Sequence, residues 1–595
     1  MPSAAFRVFR FFLQLVFIII VSPANSLTLS SSSSSLPESL LQLRNHTAIS
    51  EFRVVNRRHL INCPDKNPYL QVNISSDNLS DDEYVTVNIT GVLLPSSSDW
   101  VAMISPSHSN VKTCIENAIK YEQTGDFSSL PLLCHYPVKA QYVSNDPDYL
   151  NCSKKECKKH RVRAVWWWIS DTLHFERSLP VAFANPNNPL YAHISSTDST
   201  GTSMRLTWVS GDEKPQQVQY GNGQKATSSV STFSQADMCT SSLFESPAID
   251  FGWHDPGYIH SAVMTGLNPS TTYSYKYGSD SVGWSDEVTL RTPPAGGSNE
   301  LTFLAYGDMG KAPLDSSVEH YIQPGSVSVT KAMADEVSSG GIDSIFHIGD
   351  ISYATGFLVE WDFFLNLISP LASQVSYMTA IGNHERDYMN SGSVYITPDS
   401  GGECGVPYET YFPMPTAAQD KPWYSIEQGS VHFTVISTEH NWSVNSEQYE
   451  WMNKDMAAVD RTRTPWLIFA GHRPMYTSSP GLPILPSVDT EFVDAVEPLL
   501  LANKVDLALF GHVHNYERTC AVYQQTCKAM PMKDPNGVDT YDNANYSAPV
   551  HAVIGMAGFT LDSFSKNDNS WSLCRISEFG YVRTHATKEE LTVEL

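Results

Sequence analysis

Ile345-Phe346-His347-Ile348-Gly349-Asp350-Ile351-Ser352-Tyr353 reads as a short buried strand that halts at a glycine and delivers an aspartate, then a tyrosine, to its far end. Four other apolar runs end in the same manner. Residues 301–306 lead into Gly307-Asp308-Met309-Gly310, and 378–381 into Gly382-Asn383-His384-Glu385. Residues 466–470 precede Gly471-His472-Arg473-Pro474, and 507–510 precede Gly511-His512-Val513-His514. Uninterrupted apolar strands joined by long connections predict a sheet covered on both faces, hence an α/β sandwich over 299–595. Ligands of such sheets bind beyond the carboxyl ends of the strands, where all five blocks fall.

One block alone carries little weight, because Gly-Asp and Gly-His turns are common. Together, Asp308, Asp350, Asn383, His472, His512 and His514 offer carboxylate, amide oxygen and imidazole, a mixture suited to zinc, manganese or iron. Structural zinc sites prefer cysteine, which no block contains. A catalytic metal pair is therefore the expectation. His347 and His432 lie inside apolar runs and are expected in the core, residues 550–558 as a further strand and turn, and His440, after Glu439, as a candidate neighbour of the site.

These blocks resemble those of the calcineurin-like metallophosphoesterases, and within them the plant purple acid phosphatases. The discriminating feature lies immediately after Asp308. The wider family carries Asp-x-His there, whereas this chain has Met309 and Gly310, and Tyr353 completes a Gly-Asp-x-x-Tyr signature. The resemblance implies Asp308, Tyr353 and His514 on Fe(III), Asn383, His472 and His512 on a divalent ion (zinc, manganese or ferrous iron), and Asp350 bridging the two. Phenolate and carboxylates are hard anions that favour ferric iron, and a phenolate-to-iron transition would colour the protein purple. The implied reaction is acid-phosphatase hydrolysis of phosphate esters and anhydrides by in-line attack of a metal-activated hydroxide. His384 would face the phosphate as a donor or proton shuttle.

The departure from the family pattern lies after His472. The best-known plant pattern places one or two histidines a little further on, to assist the leaving group; here the chain reads Ser479-Pro480-Gly481-Leu482. Either Arg473 or His384 substitutes as the catalytic group, or ordinary monoesters are poor substrates. The Gly471-His472-Arg473-Pro474 form resembles a diphosphonucleotide phosphatase/phosphodiesterase subgroup, which directs the expectation to nucleotide diphosphates, pyrophosphate bonds or diesters. The alternative is a catalytically weak or inactive homologue that acts as a binding or cell-wall interaction protein.

Upstream, Asn185-Pro186-Asn187-Asn188-Pro189 opens a β-module over 187–295 whose Trp208 strand and Leu267 to Tyr275 corner resemble fibronectin type III domains. Short alternating strands and turn signals before it predict an Ig-like β-sandwich over 49–180, with Trp166-Trp167-Trp168 in core or inter-domain packing. Six serines at 30–35 mark a low-complexity linker over 27–48. Arg7 and Arg10 before the apolar stretch 11–21, then Ala24-Asn25-Ser26, read as a signal peptide over 1–26.

A chain of 595 residues is too long for one core. Its net charge of −25, from 38 basic and 63 acidic residues, disfavours a nucleic-acid partner, and the basic stretch 154–163 is read as a solvated loop. After the signal no segment is expected to span a membrane, and the C-terminus shows no anchor signal. Seven N-x-Ser/Thr sequons (Asn45, Asn73, Asn78, Asn88, Asn151, Asn441 and Asn545) and an even ten cysteines fit secretion, with N-glycans attached. Cys520 and Cys527 are expected to form a local bridge, and Cys152 and Cys157 to enter disulfides rather than a zinc site. The exterior or cell wall is the expected destination, with the vacuole as the alternative, and a homodimer is the assembly considered.

Overall fold

The computed structural model describes residues 71–75, 78–79, 84–90, 100–104, 137–142, 160–163, 168–171, 174–177 and 182–595, the last with breaks at 251, 316, 318, 417, 482–485 and 567–568. The expected signal peptide, serine linker, Cys152, Cys157, Trp166, Trp167 and Leu482 lie outside the described residues.

In the N-terminal region, Gln71–Ile74, Tyr84–Thr90 and His160–Arg163 pair antiparallel. A second sheet runs Pro137–Tyr142, Trp100–Ile104, Trp168–Asp171, His174–Arg177 in that order, also antiparallel. Val72, Val87, Ile89 and Val101 are buried, as alternating strands with one inward face require.

The second β-module is a sandwich. One sheet holds Leu190–Ser196, Ser203–Ser210, Tyr258–Thr265 and Ser229–Ser231, and the other is built around Gln217–Tyr220 and Thr272–Ser279. Trp208, fully buried, donates its indole N–H to Gln216 at 2.9 Å and stacks on His260. Tyr273 turns its hydroxyl back to the Asn268 N–H at 2.8 Å, closing the corner before its strand. This module is tied to the motif-bearing region. The Tyr275 hydroxyl donates to the Ser373 carbonyl at 2.8 Å, and the Cys239–Cys404 disulfide spans 165 residues. A crosslink over that separation limits the unfolded chain by about 5 kcal/mol in the chain-entropy account. Cys520 and Cys527 pair as expected from their spacing.

The motif-bearing region contains two sheets. In the first, β1 (Glu300–Tyr306), β2 (Ser344–Ile348) and β3 (Ser376–Ala380) run parallel in the order β3-β2-β1, and Val582–Thr587 and Leu591–Glu594 extend it antiparallel beyond β1. In the second, β4 (Val431–Val435), β5 (Trp466–Gly471), β6 (Leu507–Phe510) and β7 (Val550–Ile554) run parallel in sequence order. The inner faces meet through aromatics: Phe433 lies 5.2 Å from Phe303 and 4.1 Å from Phe346, ring to ring. On the first sheet, helices Ser326–Ser339 and Val359–Ala372 bury Val329, Met333, Phe364 and Ile368 in its cluster. On the second, Glu447–Ala457 and Thr490–Ala502 bury Met452, Met456, Phe492 and Val496 beside Leu467, Phe469 and Phe510. Sheets covered on both faces explain why β2, β3 and β4 are buried at every position. The expected α/β sandwich is present.

His347 is buried on β2, with Nδ1 2.8 Å from the Tyr377 hydroxyl. His432 is buried too, but between carboxylates, with Nε2 3.1 Å from Asp455 and Nδ1 3.6 Å from Glu427. Burial alone would lower its pKa; the two carboxylates outweigh that and raise it to about 9. A histidine raised above its unfolded value of 6.5 stabilises fully below that pH and loses the contribution as pH climbs through about 9. Replacement by glutamine, His432→Gln, should cost at most about 3 kcal/mol near neutrality and progressively less in alkali. Thermal melts across that window should show a shallower pH slope for the variant, and an identical slope would refute the ion pair.

Candidate metal centre

Each block turns sharply at its strand end. Asp308, Asp350, Tyr353 and His512 have φ of 60°, 51°, 52° and 69°, a left-handed backbone that side-chain-bearing residues seldom adopt. The glycines make room for the neighbouring loop. A β-carbon on Gly349 would run into the His472 ring, and one on Gly382 into the Asp350 carboxylate. Five loops thus converge on one buried point.

Two groups of donor atoms meet there. In the first, the Tyr353 hydroxyl is 3.1 Å from Asp308 Oδ1, 3.2 Å from Asp350 Oδ2 and 3.2 Å from His514 Nε2. In the second, Asn383 Oδ1 is 2.9 Å from His472 Nε2 and 2.9 Å from His512 Nδ1, with Asp350 Oδ1 3.2 Å from His472 Nε2. Asp350 therefore lends one oxygen to each group. Asp350, His472 and His512 present their ligand atoms within 4.8 Å of one another.

The chemistry of the first group fits a cation. Tyr353 has a single phenolic proton, yet three acceptor-bearing side chains crowd it in a place that water hardly reaches. Burial and the two aspartates push the Tyr353 phenol well above its usual range in the cation-free chain, so a positive charge is what would release its proton. Burial raises the Asp308 carboxyl; at Asp350 burial also pushes upward, but His472, His384 and His512 together outweigh it and hold that carboxyl well below the usual range.

A second ring of residues orients these donors. Asp399 Oδ2 accepts from the Asn383 amide at 2.9 Å, turning the amide oxygen inward. Glu385 accepts from the backbone N–H groups of Asp350, Ile351 and Gly382 at 3.0, 2.7 and 3.0 Å, joining the loops after β2 and β3. His472 Nδ1 faces the Ile348 carbonyl at 3.1 Å, and His514 Nδ1 faces Asp562 at 3.5 Å. Phe559 stacks on Tyr353 at 4.7 Å and lies 4.5 Å from the His514 ring.

His384 has its side chain 24% exposed, against 15% for His514. Its Nδ1 is 3.1 Å from the Asp399 carbonyl, an acceptor only, so Nδ1 carries a proton and Nε2 is left towards the centre, 4.0 Å from Asp350 Oδ2. Arg473 sits differently from the expected leaving-group acid. Its Nε is 3.1 and 3.0 Å from the two Glu439 oxygens, Nη2 is 2.7 Å from Asp387, and the guanidinium stacks 4.0 Å over Tyr395. Burial works against its charge, but Glu439 and Asp387 hold its pKa above the ordinary arginine value. Arg473 can donate hydrogen bonds; it cannot give up a proton. His440 contacts Ser437 and Asp420, away from the centre.

Sequence reasoning missed Asp399, Asp387, Glu439 and Asp562, which stand far in sequence from the residues they orient. Glu385 belongs to one of the five blocks, where its value as a triple acceptor was the one local signal available. The segment after His472 is built into the fold: Ser478 N–H donates to Glu517 at 2.6 Å, and Asn515 donates to Ser479 Oγ at 2.9 Å. Met475 to Gly481 thus brings the hydroxyls of Tyr476, Thr477, Ser478 and Ser479 but no carboxyl and no imidazole.

Known proteins match the chain along most of its length. Residues 301–516 match the model for calcineurin-like phosphoesterases, 189–292 that for the purple acid phosphatase N-terminal domain, 71–165 an Fn3-like domain from purple acid phosphatase, and 548–595 an iron/zinc purple acid phosphatase-like C-terminal region. "Probable inactive purple acid phosphatase 27" of Arabidopsis thaliana is 36% identical, over 85% of this chain and 83% of its own length. A nucleotide pyrophosphatase/phosphodiesterase of Hordeum vulgare is 37% identical, over 51% of this chain and 82% of its own. The solved structure of a purple acid phosphatase from yellow lupin (Lupinus luteus) seeds shares 33% identity at a TM-score of 0.76, covering 88% of this chain and 93% of that one.

Removing the support beneath Asn383 tests the geometry. Asp399→Ala should weaken retention of the metal held by the second group by about 10- to 100-fold while the melting temperature changes little. Elemental analysis after dialysis against a chelator reads this out, and unchanged content would count against the assigned orientation.

Proposed function

Because the chain belongs to the purple acid phosphatase family of calcineurin-like phosphoesterases, we propose that it is a secreted hydrolase of phosphate anhydrides, such as nucleotide diphosphates and pyrophosphate bonds, and of activated diesters. The observation that carries the proposal is the complete set of seven donors converging in two groups that share Asp350. Asp308, Tyr353, His514 and Asp350 are proposed to hold Fe(III), and Asn383, His472, His512 and Asp350 a divalent ion. When bound, the metals would supply Lewis-acid polarisation of a phosphoryl oxygen and acidify a water.

The protein's own groups do the rest. His384, fixed through Nδ1, offers Nε2 at the accessible edge, where, when the ring carries both protons, it can donate to a phosphate oxygen or pass a proton to a departing one. The dry floor made by Tyr353, His472 and Asp308 strengthens each of these contacts. Secretion is supported by two disulfides and by exposed sequon asparagines at 73, 78, 441 and 545. Among the described residues no helix is long and apolar enough to cross a membrane.

One observation favours a second reading, a weakly catalytic binding protein. Several relatives carry names of probable inactive phosphatases, and the segment 475–482 after His472 contains no histidine.

Leaving-group dependence separates the readings. A missing acid costs about 100- to 10,000-fold on poor leaving groups and little on good ones. Values of kcat/KM should fall steeply from anhydrides and aryl esters to alkyl esters, and a flat series would refute the proposal. Two bound metals without turnover on any ester or anhydride would establish the second reading. Asp350→Ala should abolish both metal content and turnover, and a variant that kept either would remove Asp350 from its bridging place.

A further inference from the structure

The fibronectin-like module and the phosphoesterase region together line a cavity of about 600 Å³, and none of the seven metal-centre donors belongs to it. That volume suits a small organic ligand. One wall is the outer face of the sheet built from Ser203–Ser210, Tyr258–Thr265 and Ser229–Ser231. Side chains alternate along these strands, and Met204, Leu206, Ala262 and Met264 fill the module's core. Arg205 and Ser261 therefore stand on the opposite face, joined by Ser229, which pairs with Ser261 in register, and by Ser231 two residues on. The other wall comes from helix Val406–Tyr411, the chain that follows it, and Arg386.

Arg205 lacks the counter-charge that a half-buried arginine ordinarily has. Its Nη1 donates to Ser261 Oγ at 3.0 Å, but among the described residues no carboxylate forms an ion pair with it. Burial works against its charge, and no acidic neighbour offsets that. The guanidinium presents five N–H donors in a fork that fits a carboxylate. Across the cavity the charges are already matched: Arg386 pairs with Asp420, which also meets His440. Glu409 lines the same wall and accepts from the Asp420 N–H at 2.9 Å. A ligand with one negative charge can pair with Arg205, whereas a second charge would be set against Glu409 and Asp420. The serine hydroxyls donate and accept, and Glu409 accepts, which calls for a ligand body rich in hydroxyls. Val406, Pro413 and Met414 add apolar surface for its carbon skeleton.

We propose that this cavity is a second ligand site, distinct from the metal centre, for a hydroxylated monocarboxylate of the sugar-acid type. Arg205 takes the carboxylate, and Ser229, Ser231 and Glu409 take the hydroxyls. A bound ligand bridges the fibronectin-like module and the phosphoesterase region. The site stands independently of the reaction proposed above.

The test is calorimetric titration of the full, metal-loaded chain with galacturonate, beside galactose, acetate and inorganic phosphate. Galacturonate should bind once per chain and raise the melting temperature. Galactose, which lacks the charge, and acetate, which lacks the hydroxyls, should each bind at least about 10-fold more weakly. Arg205→Met should weaken galacturonate by about 10- to 100-fold and leave turnover at the metal centre unchanged. The double variant Ser229→Ala/Ser231→Ala removes two exposed hydroxyls with little risk to folding, and should weaken it by about fivefold per hydroxyl. No binding of galacturonate, or affinity within twofold of wild type in both variants, would overturn the site; the second result would place the carboxylate on the metals instead. Galactose binding as tightly as galacturonate would overturn the role of Arg205. Phosphate binding as tightly, with the same dependence on Arg205, would overturn the choice of a hydroxylated carboxylate.

Discussion

Acceptors crowded together out of reach of water are the constraint on which the rest of this structure depends. Asp308, Asp350, Tyr353, Asn383 and His472 are all nearly inaccessible, and their inward atoms lie at hydrogen-bonding distance with too few protons to share. Desolvation of such groups costs several kcal/mol each unless a positive charge compensates. Local backbone geometry adds to the cost. Four of the donors have positive φ, at about 1–3 kcal/mol apiece, which together approach the whole net stability of an ordinary domain. The two packed sheets can hold this arrangement because their strands are buried along their length, so the loops at their ends inherit fixed origins.

Rigidity of the strands does not by itself aim the donors. That is done by a surrounding set of acidic groups: Glu385 clamps two loops through backbone N–H groups, Asp399 turns an amide, and Asp562 stands behind His514. Hydrogen bonds from backbone N–H to a carboxylate are each worth about 1.5–3 kcal/mol, enough for Glu385 to offset a substantial part of the strain at Asp350. Arg473 belongs to this outer set by its bonds, held between Glu439 and Asp387, yet it is the one member that meets a histidine with a donor.

How much the sequence revealed depends on how far apart the cooperating residues lie. A strand and the residue at its end occupy one short window, so the five blocks, the parallel sheets and the strand-end places of Asp308, Asp350, Asn383, His472, His512 and His514 were readable from local pattern, while Tyr353 entered through the resemblance. Cys520 and Cys527 were readable as a bridge for the same reason, seven residues apart, whereas Cys239 and Cys404 meet only because the fold joins two modules. Asp399 lies 16 residues beyond the Asn383 it orients and Asp562 48 beyond His514, with no periodicity to flag either. Arg473 was found for its place beside His472, but sequence shows only that an arginine is present and does not show the two carboxylates that immobilise it. His432 illustrates the same limit: its apolar neighbours marked it as a core residue, and only the fold brings Asp455 and Glu427 to charge it.

The segment after His472 carries the chemical argument furthest. Ser478 and Ser479 are bound to Glu517 and Asn515, which fixes this part of the loop, and residues 475–481 offer hydroxyls but no carboxyl or imidazole. In the proposed reaction, proton supply to a departing oxygen would fall to His384, whose Nδ1 proton is committed to the Asp399 carbonyl, leaving Nε2 alone to act. One nitrogen cannot both neutralise a bound phosphate oxygen and protonate a leaving group in the same step. A substrate whose leaving group departs as a stable anion avoids that conflict, because Nε2 can stay on the phosphate. A phosphate anhydride meets that condition and an alkyl ester does not, so under the proposed function the same loop would weaken one activity and leave the other almost untouched.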